Sequence, residues 1–300
     1  MQINTIRSDK VYQEMLELPL EKREDLFRAK ILEPFATKYQ TQHIPLKAKY
    51  PGGFDALFLL GFMNLLPATL SGKDRPAIDA LSSDQLWQDC QDTIKRSIGL
   101  FEQAGYDLEV EDYHFTILLG NPEKPMLQLN KGYSGDGGIP GYLMLSILPN
   151  DYTLPRIQAA LAHECNHNVR FQFIKWNQQT TLADWVVSEG LAESFAAELY
   201  GKELIGPWVT STSSEQLEEI KPIISSQLQL TGMAEMAPYL YGDEIAELQG
   251  QIPVGMPYAA GYAYGYHLIQ AYLKRTGKSI IEATVTSTEE ILEATKDFWK

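Results

Sequence analysis

The chain has 300 residues, of which 44% are hydrophobic, 21% charged and 11% aromatic, which is enough for a substantial core and too aromatic for a disordered acidic tail. Its 25 Lys and Arg against 39 Asp and Glu leave a net charge of −14, a balance that repels phosphate backbones and argues against nucleic acid as a partner. No apolar run reaches the ~18 residues of a membrane span, no basic-then-apolar leader opens the chain, and Cys90 and Cys165 are too few for a disulfide framework, so a cytoplasmic protein is expected.

From residue 8 to 38, Val11, Met15, Leu16, Leu20, Leu26, Phe27, Ile31 and Leu32 recur at helical spacing among charges, which predicts one or two amphipathic helices. Residues 54–70 form the most apolar segment; with Asp55, Asn64 and Pro67 inside it, it reads as a buried helix pair or turn. A Ser82-Ser83-Asp84 cap signal opens a helix over 84–103, and Gly105 closes it. Residues 113–119 and 142–148 are runs of β-formers and predict a small sheet. Between them, 120–141 is rich in Gly and Pro and reads as a loop or wide hairpin. Its Gly135-Asp136-Gly137-Gly138 lacks the Gly-Lys-Ser/Thr and the following helix of a phosphate cradle. Beyond residue 149 the pattern is helical, over 155–176, 182–200, 214–230, 233–248, 258–275 and from 288. Strands followed by helices predict an α+β fold, a small sheet packed on a mostly helical body. The expected organisation is an N-terminal helical region, 1–105, and a second region, 106–300, comprising the sheet (106–150), a long helix (155–176) and a C-terminal helical lobe (180–300), packed as one unit.

His163-Glu164-Cys165-Asn166-His167 has the pattern His-Glu-x-x-His inside the helix predicted over 155–176. Four residues advance a helix by about 400°, so His163 and His167 share a face where two imidazoles can meet one ion. Glu164 sits about 100° away, beside such an ion and not on it, as suits a base acting on metal-bound water. A catalytic site takes three protein ligands and leaves a fourth position open. On the helix predicted over 182–200, Glu189 and Glu193 are one turn apart, and either could close the set.

With these residues the sequence resembles the gluzincin metallopeptidases. The segment from Trp185 to Glu193 is similar to their Asn-Glu-Gly-Phe-Ala segment, and the resemblance implies a zincin-like fold, one Zn²⁺ per chain, and Glu189 as third ligand. Glu193 would then partner an imidazole N–H. More closely, residues 163–170, Ser188-Glu189-Gly190-Leu191-Ala192-Glu193 and Gly261-Tyr262-Ala263-Tyr264-Gly265-Tyr266 resemble an uncharacterised bacterial family of predicted zinc-dependent proteases, over about residues 113–273. The amino-terminus-binding strand motif of the aminopeptidases has no counterpart between Gly132 and Leu148, so the resemblance does not extend to exopeptidase action.

Tyr258, Tyr262 and Tyr266 recur every four residues, and Gly261 and Gly265 allow a close helix approach. Tyr262, or else His267, is the expected hydrogen-bond donor to an oxyanion, as gluzincins carry one downstream of the third ligand. Arg170 is expected to pair with Glu193 or Asp184 and steady two helices. The implied activity is zinc-dependent hydrolysis of peptide or protein substrates with Glu164 as base, the alternatives being a metal-binding regulatory protein without turnover or a hydrolase of non-peptide amides or esters. The strand predicted over 142–148 is expected to pair with an extended peptide. Oligomeric state is open.

Overall fold

A computed structural model describes residues 1–299. The architecture is α+β. Among the described residues the strands β1 (Gln2–Thr5), β2 (Asp112–Leu119), β3 (Tyr133–Asp136) and β4 (Tyr142–Ile147) form a four-stranded sheet in the order β1-β2-β4-β3. The helices that matter for the site are α1 (Ser8–Glu17), α2 (Leu20–Phe27), α3 (Ala36–Thr41), α4 (Asp84–Gln103), α5 (Ile157–Phe173), α6 (Leu182–Tyr200), α7 (Ser214–Ser225), α8 (Met233–Tyr241), α9 (Ala260–Thr276) and α10 (Ile280–Val285). No described helix is long and apolar enough to cross a membrane. The chain forms two compact units: Met1–Arg96 with Glu109–Glu164, and Ser97–Leu108 with the residues from Cys165 onward.

In the first unit, β2 runs parallel to β1, with Ile3 opposite Tyr113, and parallel to β4, with Ile117 opposite Leu145. Phe115, Ile117, Leu118 and Leu119 are all fully buried, because a strand covered on both faces has no solvent side on which to place polar residues. That setting suits the run of β-formers, with only Thr116 polar between Phe115 and Leu119, that made β2 legible. β3 pairs antiparallel with β4, Gly135 opposite Leu145, and lies at the sheet's edge. Two expectations change here. β4 has a neighbour on each side, so the sheet's edges are β1 and β3 and not the 142–148 strand. The first residues contribute β1 to the sheet, and the compact units do not divide at residue 105.

The N-terminal helices bury most of the predicted face: Val11, Met15, Phe27, Ile31 and Leu32 are in the core, whereas Leu16 and Leu26 are half-buried and Leu20 is exposed, and α2 continues through a π-helical turn over Arg28–Leu32. Segment 54–70 differs from its expectation. Ala56, Leu65 and Leu70 are buried, but Phe54, Phe58 and Phe62 remain half exposed in a ladder with ring centroids 5.8 and 5.4 Å apart.

In the second unit, α6 and α9 touch backbone to backbone. A Cβ on Gly190 would lie 2.1 Å from the Gly265 carbonyl oxygen, and one on Gly265 would lie 1.9 Å from the Val186 carbonyl oxygen. These glycines serve proximity, as the spacing of Gly261 and Gly265 predicts. Gly265→Ala must push the helices apart and is expected to destabilise the protein by about 1–3 kcal/mol, the cost of overpacking a tight core; urea denaturation would measure it. The helix predicted over 233–248 is interrupted at Gly242, whose φ of 89° belongs to the left-handed region.

Candidate metal centre

Pro155 lies in the 3-10 turn Leu154–Arg156 that leads into α5, where its missing N–H costs nothing. One turn apart on α5, His163 and His167 are 5% and 7% exposed; Glu189 of α6 is 6% exposed. One ligand atom from each can be chosen so that all lie within 4.8 Å of one another. His167 Nε2 is 3.3 Å from Glu189 Oε2. Two ligands each ~2.1 Å from a tetrahedral zinc stand about 3.4 Å apart, so this pair already has the spacing that zinc requires. Phe171 stacks on the His167 ring, centroids 5.7 Å apart and planes within 1°, which fixes the imidazole's orientation. Two imidazole nitrogens and a carboxylate oxygen are a donor set suited to Zn²⁺ with a fourth position open.

Glu164, also buried at 7% exposed, lies against β3. A Cβ on Gly135 would fall 2.1 Å from its Oε1, and a Cβ on Gly137 would fall 2.3 Å from its main-chain oxygen. The glycine-rich tetrapeptide dismissed as a phosphate cradle thus has a different purpose: it lets the strand reach the carboxylate. No side chain larger than hydrogen fits at either position without moving Glu164.

A family model described as a predicted Zn-dependent protease (DUF2268) matches residues 86–293, more than two thirds of the chain. The chain belongs to the DUF2268 family. Among curated relatives, the uncharacterized protein YjfC of Bacillus subtilis (strain 168) is 36% identical over 282 residues, covering 94% of both chains. The uncharacterized protein YjaZ of the same organism is 26% identical over 155 residues, 50% of this chain and 55% of the relative. No solved structure matches.

The DUF2268 span includes every site residue expected from the sequence, and the structure distributes them as follows. Glu193 is buried and accepts hydrogen bonds from the Gly206 N–H at 2.6 Å and the Trp208 Nε1–H at 2.7 Å, anchoring the segment after α6. Arg170 is fully buried and, among the described residues, makes no ion pair. Its guanidinium donates to Ser188 Oγ at 3.1 Å, to the carbonyls of Thr284 and Thr286 at 2.8 and 3.0 Å, and to Thr288 Oγ1 at 3.2 Å. Asp184, one of its expected partners, is instead engaged in a capping box with Thr181 at the start of α6. Burial lowers the Arg170 pKa to about 10, and the carbonyls at the C-terminal end of α10 offset part of that cost. Asn166 joins the same contact, donating to Thr284 Oγ1 at 2.7 Å. Arg170 therefore links α5 to α6 and to the end of α10 through neutral acceptors and not through the expected carboxylates.

Tyr262 and His267 part company on α9. The Tyr262 ring lies 6.1 Å from that of Tyr241, and the two side chains share a hydrogen bond. Burial and then the Glu189 carboxylate push the Tyr241 phenol up, which sets Tyr241 within the electrostatic reach of Glu189. His267 instead contacts Tyr266, and its pKa is lowered by burial and by Lys221 of α7. Tyr241 is the residue that sequence reasoning missed. It ends α8 just before Gly242, and only that helix break, hidden inside the predicted 233–248 segment, would have marked it.

Proposed function

We propose that the protein is a zinc metallopeptidase with a zincin-like fold, taking one zinc per chain on His163, His167 and Glu189. The observation that carries this is the buried His-His-carboxylate cluster with Glu164 on the same helix, about 100° from His163. The description of the DUF2268 family supports it. When bound, zinc supplies an activated water and polarises the scissile carbonyl.

Glu164 accepts the proton of the attacking water at its carboxylate and then delivers it to the leaving amine. A peptide laid along β3 at the sheet's edge makes main-chain hydrogen bonds there, and Gly135, beside Glu164 Oε1, brings its backbone up to the base. The Tyr262 hydroxyl, oriented through Tyr241, donates to the oxyanion. Glu193 and Arg170 hold the surrounding helices and loop, and His267 receives no role in the chemistry. Zinc-loaded protein incubated with a mixed peptide library, with new termini identified by mass spectrometry, tests this reading. New termini support it, whereas their absence from fully loaded protein overturns it.

A further inference from the structure

β3 has four residues and lies at the sheet edge, held through β4 on one side. A strand this short is weakly fixed by its own ladder, so its placement over Glu164 needs a second support. Residues from outside the DUF2268 match provide one. Lys38 of α3 has a side chain only 1% exposed, and its Nζ lies 2.8 Å from Asp136 Oδ2. It also donates to Gln42 Oε1 at 3.1 Å. Asp136, 47% exposed, stands between Gly135 and Gly137, the two residues that lie against Glu164. In the adjacent position of α3, the Tyr39 hydroxyl contacts Met144 Sδ at 3.9 Å, and Met144 is the residue opposite Asp136 in the β3–β4 ladder. Two consecutive residues of α3 thus grip both sides of one rung.

The burial is asymmetric, and the asymmetry gives the direction of the constraint. A buried ammonium deprived of its carboxylate is costly, so the anchored end is Lys38 and the end being held is Asp136. We propose that Lys38 is a positioning residue: through Asp136 it holds β3 against Glu164, so that the N-terminal segment sets the alignment between a β3-bound peptide and the base. This rests on reading Glu164 as the general base.

Lys38→Met fills the buried space with an apolar chain and leaves Asp136 in solvent, so folding is kept; Asp136→Asn breaks the pair from the other side. Hydrogen–deuterium exchange of the full chain is followed over residues 133–136, alongside peptide turnover by the zinc-loaded protein. In both variants, exchange over 133–136 is expected to quicken about tenfold while β1 and β2 keep their protection. Turnover should fall about tenfold in kcat with KM changed much less, because the peptide still pairs with β3 but is misaligned with Glu164. Exchange unchanged over 133–136, or raised equally through the whole sheet, overturns the proposal, as does an unchanged kcat. If the wild-type protein cleaves no peptide, the protease reading fails by itself, and the exchange result alone decides whether Lys38 holds β3.

Discussion

Glu189→Gln is expected to purify with almost no zinc, beside a wild-type protein carrying about one ion per chain when chelators and nickel columns are avoided. The substitution keeps the side chain's volume in a position only 6% exposed, so the loss reports coordination and not packing. Loss of an outer partner of a metal ligand already weakens binding by about 10–100-fold, and removing a ligand's charge should exceed that. His163→Ala should behave alike. Metal binding should also stabilise the fold, because zinc bound to the native state alone raises the apparent unfolding temperature. A chelator would therefore lower the wild-type melting temperature and leave that of Glu189→Gln unchanged. Full zinc content in both variants would remove these residues from the ligand set.

Glu164→Gln separates metal binding from chemistry. It preserves the shape that Gly135 and Gly137 accommodate, and Glu164 is not among the three clustered residues His163, His167 and Glu189. Zinc content and melting temperature should match the wild type, while kcat falls by about 10²–10⁴-fold, the usual contribution of a general base. KM should move little, since the carboxylate acts on a proton in flight and not on the peptide's resting contacts. Mass analysis of zinc-normalised samples would show the difference as a loss of new termini. Turnover retained by Glu164→Gln would reassign the base.

Much of the fold was legible because its strongest signals are local. α4 spans the residues predicted by its cap and apolar spacing, α6 begins and ends where the pattern does, and β2 and β4 announced themselves by β-branched and aromatic runs. The histidine pair was legible because a turn of helix translates sequence spacing directly into proximity. β3 was not. Tyr133-Ser134-Gly135-Asp136 reads as a turn on composition, since glycine weakens a strand and is kept only where another group must come close, and that group, Glu164, is distant in sequence. The partners of Arg170 were equally invisible: three of its four acceptors come from residues 284–288, and two of those are backbone carbonyls that carry no residue-type signature. Tyr262 and His267 could not be ranked from periodicity alone, because which flank of α9 meets Tyr241 depends on the helix contact at Gly190 and Gly265.

The strand order has a practical corollary for anyone trimming the chain. A fragment cut to residues 86–293 would retain His163, His167, Glu189 and Glu164 but discard β1. The flank of β2 that β1 normally occupies would then be open, presenting unmatched amides and carbonyls over residues 112–115 on a ribbon that is buried from Phe115 to Leu119. Such a ribbon recruits its own copies, so the fragment should sediment as aggregates where the full chain stays dispersed, and the inactivity of a shortened preparation would say nothing about its catalytic residues.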